Sequence, residues 1–281
     1  MNPFQPLDNV RAVLSHTSHP GNIGAAARAM KTMGLGCLYL VNPKSFPDKE
    51  AERRAAGAWD LLSKTRVCAD LDQALSGTVL AAAVTARARD LSHEVFNARQ
   101  GALELVSHAR QNPVALVFGT EMSGLTTQEV SKCQIIVRIP TDSEYSSLNL
   151  ASAVQVMAYE LRMAVLESGA ASATAALDAT APVPGVLARF NEIELLLQHL
   201  EHVAIRSGFL DPEEPKRLMQ RLRRLFARAR LEKEEVNILR GILSACEKRM
   251  QARQAFASNG SDAFEEIPDS SSIHRPPSTL G

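Results

Sequence analysis

Five short apolar runs, at residues 10–14, 37–41, 79–84, 114–118 and 135–139, alternate with stretches whose apolar residues recur every three or four positions. That alternation limits the possible folds more than any other feature of the chain. Strands that each hand over to a helix return to the sheet in the same direction, so the pattern predicts an α/β domain built on a largely parallel sheet. The helices between the strands fall at residues 23–33, roughly 49–62, 99–111 and a short stretch after 125. A last one carries Leu150, Val154, Met157, Leu161 and Val165 on one face.

Residues 1–166 are therefore read as one domain. Residues 167–184 are rich in Ala, Ser, Thr and Pro with almost no large apolar side chains, the composition of a linker. Residues 185–254 carry three helical periods, broken at Gly208 and at Asp211-Pro212, and predict a small all-α module. Residues 255–281 turn to Ser, Pro, Asp and Gly, as a disordered tail does.

Basic and acidic residues balance at 31 each, so only local charge can point to a partner. The first ten residues have neither a basic leader nor an apolar core, and no apolar run is long enough to cross a bilayer, which predicts a cytoplasmic protein without a membrane partner. Cys37, Cys68, Cys133 and Cys246 form no Cys-x-x-Cys pair and have no histidine at ligand spacing. Neither a disulfide framework nor a metal site is expected, and the four read as small buried hydrophobes.

Four loops at strand ends carry the candidate chemistry, because open α/β sheets bind ligands at the carboxyl ends of their strands. The first, His19-Pro-Gly-Asn-Ile-Gly-Ala-Ala-Ala-Arg-Ala-Met30, lacks Gly-x-Gly-x-x-Gly, and no acidic residue for a ribose follows the second strand, which disfavours a dinucleotide fold. Its Arg28 lies among alanines, in an expected close-packed wall where a charge requires a partner or an anion. An exposed arginine or a structural ion pair is an equal reading of that segment alone. The second loop, Phe118-Gly-Thr-Glu-Met-Ser-Gly-Leu125, places Gly119 and Gly124 around Glu121, and glycines permit close approach to a ligand. The third, Thr85-Ala-Arg-Ala-Arg89, sets two cations at the same edge. The fourth runs from Ile139-Pro140 through Thr141-Asp-Ser-Glu-Tyr-Ser-Ser147 to Leu148-Asn149, where Pro140 ends the strand and Ser146 or Ser147 can cap the next helix.

Asn22 with Arg28, the Phe118 to Leu125 segment and the Ile139 to Asn149 segment resemble the three ordered motifs of the SPOUT methyltransferases that methylate ribose 2′-hydroxyls. Further wording, Ala-Arg-Ala-Met-Lys-Thr-Met-Gly-Leu, Glu-Tyr-Ser-Ser-Leu-Asn-Leu-Ala and Asn237-Ile-Leu-Arg-Gly-Ile-Leu, is similar to a bacterial branch that acts on tRNA. The resemblance implies a SPOUT-type parallel-sheet domain with a C-terminal trefoil knot, an obligate homodimer and bound S-adenosyl-L-methionine. It implies cofactor contacts at Thr85, Ala86, Arg87, Gly119, Glu121, Ile139, Ser146, Ser147 and Leu148. Arg28, Asn22, Ser147, Asn149 and Glu121 take the family's positions for substrate handling and catalysis. The implied reaction is 2′-O-methylation of a cytidine or uridine in the tRNA anticodon loop, at position 32. Methylation of ribosomal RNA and a non-catalytic RNA-binding role are the alternatives. The family has been described as using the arginine as a general base. A guanidinium keeps its proton far above neutral pH, so electrostatic activation of the hydroxyl is the favoured role for Arg28.

Lys216, Arg217, Arg221, Arg223, Arg224, Arg228 and Arg230 crowd one short helical stretch that has Glu214 as its only acid. Leu218, Leu222, Leu225, Phe226 and Ala229 give it one apolar face, with basic residues along both flanks. A solvated face paired with Glu232, Glu234 and Glu235 and a membrane-surface helix are the bland readings. Beside a domain resembling an RNA enzyme, Arg217, Arg221, Arg223, Arg224 and Arg228, with Arg87 and Arg89, read as RNA-binding residues.

Overall fold

A computed structural model of the chain describes residues 5–87, 94–172 and 185–261. Seven strands form one sheet: β1 (Val10–Ser15), β2 (Cys37–Val41), β3 (Arg66–Cys68), β4 (Leu80–Val84), β5 (Glu94–Asn97), β6 (Val114–Phe118) and β7 (Ile135–Arg138). Their order is β3-β2-β1-β6-β4-β7-β5, and each pairing among the described residues is parallel. The predicted α/β architecture is present. The five strands read from sequence form the interior of the sheet, while β3 and β5, which that reading missed, are its two edges.

Alternation along each strand feeds two cores. Val10, Ala12 and Leu14 of β1 face α1 (Pro20–Met33), α2 (Lys49–Ala55), α3 (Trp59–Ser63), α5 (Ala98–Ala109) and α7 (Leu150–Ser172). Val13 faces the opposite layer, with α4 (Leu71–Leu75) and α6 (Thr127–Ser131). Helix α1 starts at Pro20, whose missing N–H costs nothing in a first turn, and stops at Gly34 in the left-handed region at φ 87°. Its alanines let α2 come close. At Gly24 the approach is closer still, since a Cβ there would stand 2.0 Å from the Ala51 carbonyl oxygen.

Three expected boundaries move. The stretch 49–62 is two helices separated by a 3-10 turn at Ala56–Ala58, where Ala56 has φ 47°. Helix α7 runs on to Ser172, into the expected linker, because its alanine-rich sequence is also good helix-forming sequence. Residues 173–184, the rest of that linker, lie outside the described residues.

The second module consists of α8 (Phe190–Arg206), α9 (Leu218–Ala229) and α10 (Lys233–Ser261), as the predicted all-α unit. Helix α10 passes the expected boundary at 255, and the remainder of the expected tail lies outside the described residues. Ala188, Leu196 and Val236 form the module's small core, with Phe226, Leu239 and Leu243 packed on it. Phe190 docks the module on the sheet domain: its ring joins the α4/α6 core and its N–H donates to the Thr78 carbonyl at 2.8 Å. The four cysteines are free. Cys68 and Cys133 are buried as expected and Cys37 is partly so, but Cys246 is exposed on α10, a correction to the expectation that all four are buried.

Candidate active site

The loops that leave β4, β6 and β7, closed by the start of α7, surround a cavity of about 340 Å³. Every residue the sequence placed at the cofactor lines it: Thr85, Ala86 and Arg87 from the first loop, Gly119 and Glu121 from the second, Ile139, Ser146, Ser147 and Leu148 from the third. Val84, Phe118 and Leu150 add apolar wall. Parallel neighbours β6, β4 and β7 end at one edge, which is why segments far apart in sequence converge. Thr85 is fixed there by its N–H to the Val137 carbonyl at 3.1 Å.

The β6 loop is held by its own turn. Gly124 (φ 65°) donates to the Thr120 carbonyl at 3.0 Å, and the Thr120 and Ser123 hydroxyls lie 2.7 Å apart. Gly119 has no room for a side chain, since a Cβ would stand 2.1 Å from the Gly124 carbonyl carbon. The result is a tight hairpin of backbone facing the cavity.

Glu121 projects from that turn onto the start of α1. Its Oε2 accepts the Ser18 N–H at 3.0 Å and the Ser18 hydroxyl at 2.7 Å, and its Oε1 accepts the His19 N–H at 3.2 Å and Asn22 Nδ2 at 2.9 Å. Partial burial alone would raise this carboxyl, but the donors from Asn22 and Ser18 outweigh it and hold the pKa down at about 2. Asn22 is thereby oriented, with Oδ1 left to accept Asn149 Nδ2 at 3.2 Å. Asn149 in turn caps α7, its Oδ1 accepting the Ala151 N–H at 2.9 Å. The expected cap at Ser146 or Ser147 is thus corrected: Asn149 does that work, and both serines are exposed on the cavity wall. Ser18 and His19 were missed by sequence reasoning, and only their place between β1 and α1 could have suggested them.

Arg28 departs from expectation. Ile23, Ala26, Ala27 and Met30 form the buried face of α1, and helical geometry turns position 28 away from it, so Arg28 is exposed. It does not line the cavity.

The basic helix divides into two sets. Arg217, just ahead of α9, and Arg221 and Arg228 on it are exposed, and Arg224 is half-buried. Arg223 is instead turned inward onto Glu194 of α8, with its second nitrogen 2.8 Å from Oε2. Its reading as an RNA contact is corrected, because a bidentate pair already occupies its fork. Arg230 (φ 49°) reaches Glu104 and, at 3.5 Å, Glu94 on the sheet domain. The expected apolar face is also thinner than the pattern implied, since Leu225 is 47% exposed and no residue of α9 is fully buried. Arg89 lies outside the described residues.

The cavity suits the cofactor that the resemblance implies. Its size is in the range of small-ligand sites, and it combines an apolar wall with converging backbone groups, hydroxyls and one ionised carboxylate. Among the described residues no group of three or more His, Cys, Asp or Glu side chains is placed to hold a metal ion, and no helix is long and apolar enough to cross a membrane.

The pattern of the SpoU rRNA Methylase family matches residues 9–159, and that of the tRNA methyltransferase TrmJ, C-terminal domain, matches residues 191–255. The chain is 48% identical over 244 residues to tRNA (cytidine/uridine/adenosine-2′-O-)-methyltransferase TrmJ of Pseudomonas aeruginosa, covering 86% of this chain and 95% of that protein. It is 47% identical to tRNA (cytidine/uridine-2′-O-)-methyltransferase TrmJ of Yersinia pestis, covering 86% and 93%. The crystal structure of TrmJ from Z. mobilis superposes with a TM-score of 0.73 at 30% identity, over 84% of this chain and 98% of that one. With both regions matched in order, the chain belongs to the SpoU family of SPOUT methyltransferases, in its TrmJ branch.

Proposed function

We propose that this protein transfers a methyl group from S-adenosyl-L-methionine to the ribose 2′-hydroxyl of a cytidine or uridine in the tRNA anticodon loop, at position 32. We further infer that it works in the cytoplasm as a homodimer, with the trefoil knot that the family resemblance implies. The observation that carries the proposal is the cavity itself, which gathers all the expected cofactor residues beside the Glu121–Asn22–Asn149 chain. The TrmJ-type helical module favours tRNA over ribosomal RNA as the substrate.

When bound, S-adenosylmethionine supplies a methyl group activated by its sulfonium. What remains for the protein is alignment of the 2′-oxygen and stabilisation of the charge it develops. Glu121 is no proton acceptor at neutral pH, because its pKa near 2 and its four donors leave it a poor base. Its task is to fix the amides of Asn22 and Asn149. Ser147 and the β7 loop border the cavity and orient the ribose. Arg28, exposed on α1, meets a backbone phosphate and lowers the cost of the alkoxide, and the hydroxyl proton passes to water. The exposed Arg217, Arg221 and Arg228 track phosphates farther along the tRNA.

The test is methyl transfer from labelled S-adenosylmethionine to unmodified tRNA and, separately, to ribosomal RNA. Label in the tRNA as 2′-O-methylpyrimidine is the expected result. Label in ribosomal RNA alone would move the substrate to the alternative, and none in either would leave an RNA-binding protein without turnover.

A further inference from the structure

Helix α10 presents an apolar stripe to solvent that the catalytic machinery does not use. Ile238 is 63% exposed and Ile242 is 56% exposed, and Gly241 and Ala245 beside them are exposed as well. The opposite side of the helix is the one packed into the module, through Val236, Leu239 and Leu243. Two bare isoleucines one turn apart leave apolar area in water that a partner surface would remove. Gly241 adds to this. A glycine in an exposed helix interior destabilises the helix relative to alanine, and a Cβ at this position would meet no atom within 4 Å. Nothing inside the chain therefore calls for glycine there, whereas a second helix crossing closely at that point does.

The charges around the stripe identify that second helix. If two copies of α10 lie antiparallel about a two-fold axis between residues 241 and 242, Ile238 of each copy meets Ala245 of the other, and each Gly241 lies beside the other copy's Ile242. The same axis sets Glu234 opposite Arg249 and Glu235 opposite Lys248, and all four are exposed. With 3.6 residues per turn, these eight positions fall within about 70° of the stripe's centre line, on one face. One operation thus matches apolar to apolar and acid to base, as an isologous interface requires.

We infer that α10 is the surface through which the helical modules of two copies of this chain pair, antiparallel about Gly241 and Ile242. From Glu234 to Arg249 the stripe spans about 22 Å at 1.5 Å per residue, which places the interface in the weak class, so pairing depends on concentration.

The test uses full-length protein. Unlabelled and ¹⁵N-labelled chains are mixed without RNA and treated with a carbodiimide, which joins a carboxylate to an amine, and the joined peptides are read by mass spectrometry. Pairs that link Glu234 or Glu235 to Lys248, one peptide light and the other heavy, are expected. Along a single helix Glu235 and Lys248 are about 20 Å apart and cannot be joined directly. Ile242→Lys should cut the mixed pairs at least fivefold, and so should Glu234→Arg alone. Adding Arg249→Glu to Glu234→Arg should restore them, because the reversed charges again meet their opposites. The inference is overturned if Lys248 is joined only to peptides of the sheet domain, if no mixed pair forms, or if the double reversal fails to restore what the single one removed.

Discussion

The side-chain amide of Asn22 donates to the carboxylate of Glu121 across 2.9 Å, tying the first helix to the loop after β6. Since that carboxylate is ionised down to a pH of about 2, the tie holds throughout the neutral range. Glu121→Gln keeps the shape but presents an NH₂ group to a ring of donors. A hydrogen bond to a charged group is worth about 1.5–3 kcal/mol, so kcat should fall about ten- to a hundredfold. The folded-state pKa is depressed, so its contribution to stability is full above the unfolded value near 4.3 and is lost as the pH falls toward about 2. Denaturant unfolding of the wild type should therefore weaken between pH 5 and pH 3 by more than that of Glu121→Gln.

Gly24→Ala tests the packing that positions α1. The added Cβ would press on the Ala51 carbonyl at 2.0 Å, an atom of backbone that cannot swing aside. Overpacking of this kind costs about 1–3 kcal/mol, against about 1 kcal/mol gained in helix propensity. The expected net result is a melting temperature lower by about 3 °C or more, measured by calorimetry. Gly241→Ala, in open space, should raise it slightly.

Much of this architecture was legible in the sequence. The interior strands β1, β2, β4, β6 and β7 are buried on both faces and read as continuous apolar runs, which the eye finds. Strands β3 and β5 are short edges bearing exposed Arg66, Val67, Glu94 and Val95, so they carry no such signal. The cavity residues were legible only as a resemblance, through three motifs whose convergence depends on strand order. What escaped was the set of contacts between residues far apart in the chain: Ser18 on Glu121, and Arg223 on Glu194. A charge pattern shows which flank of a helix a residue occupies, not which neighbour arrives to claim it.

That last pair separates two kinds of arginine on one helix. Arg221→Ala should weaken tRNA binding and lower the slope of log K against log salt by about one, with stability unchanged. Arg223→Ala should do the reverse, since it leaves the partly buried Glu194 without its bidentate partner. Its module should melt earlier, while the salt slope of the folded protein stays as in the wild type. Filter binding at several salt concentrations, with thermal melts alongside, distinguishes the two.

Arg28 is exposed and outside the cavity, so its role is to bring positive charge to the RNA. Arg28→Lys keeps that charge but loses the planar fork, and should retain measurable single-turnover methyl transfer, whereas Arg28→Ala is nearly inactive. Cofactor affinity should be unchanged in both. Raising the pH should partly rescue the alanine variant, because a more alkaline solution replaces what the guanidinium does for the hydroxyl.

The most direct measurement is the mapping of 2′-O-methyl groups in tRNA from cells with and without the gene, and from deleted cells carrying the wild type or Arg28→Ala. The account predicts that methylation at position 32 of the anticodon loop is lost on deletion, returns with the wild type and does not return with Arg28→Ala. Unchanged methylation of that ribose in the deleted cells would contradict it.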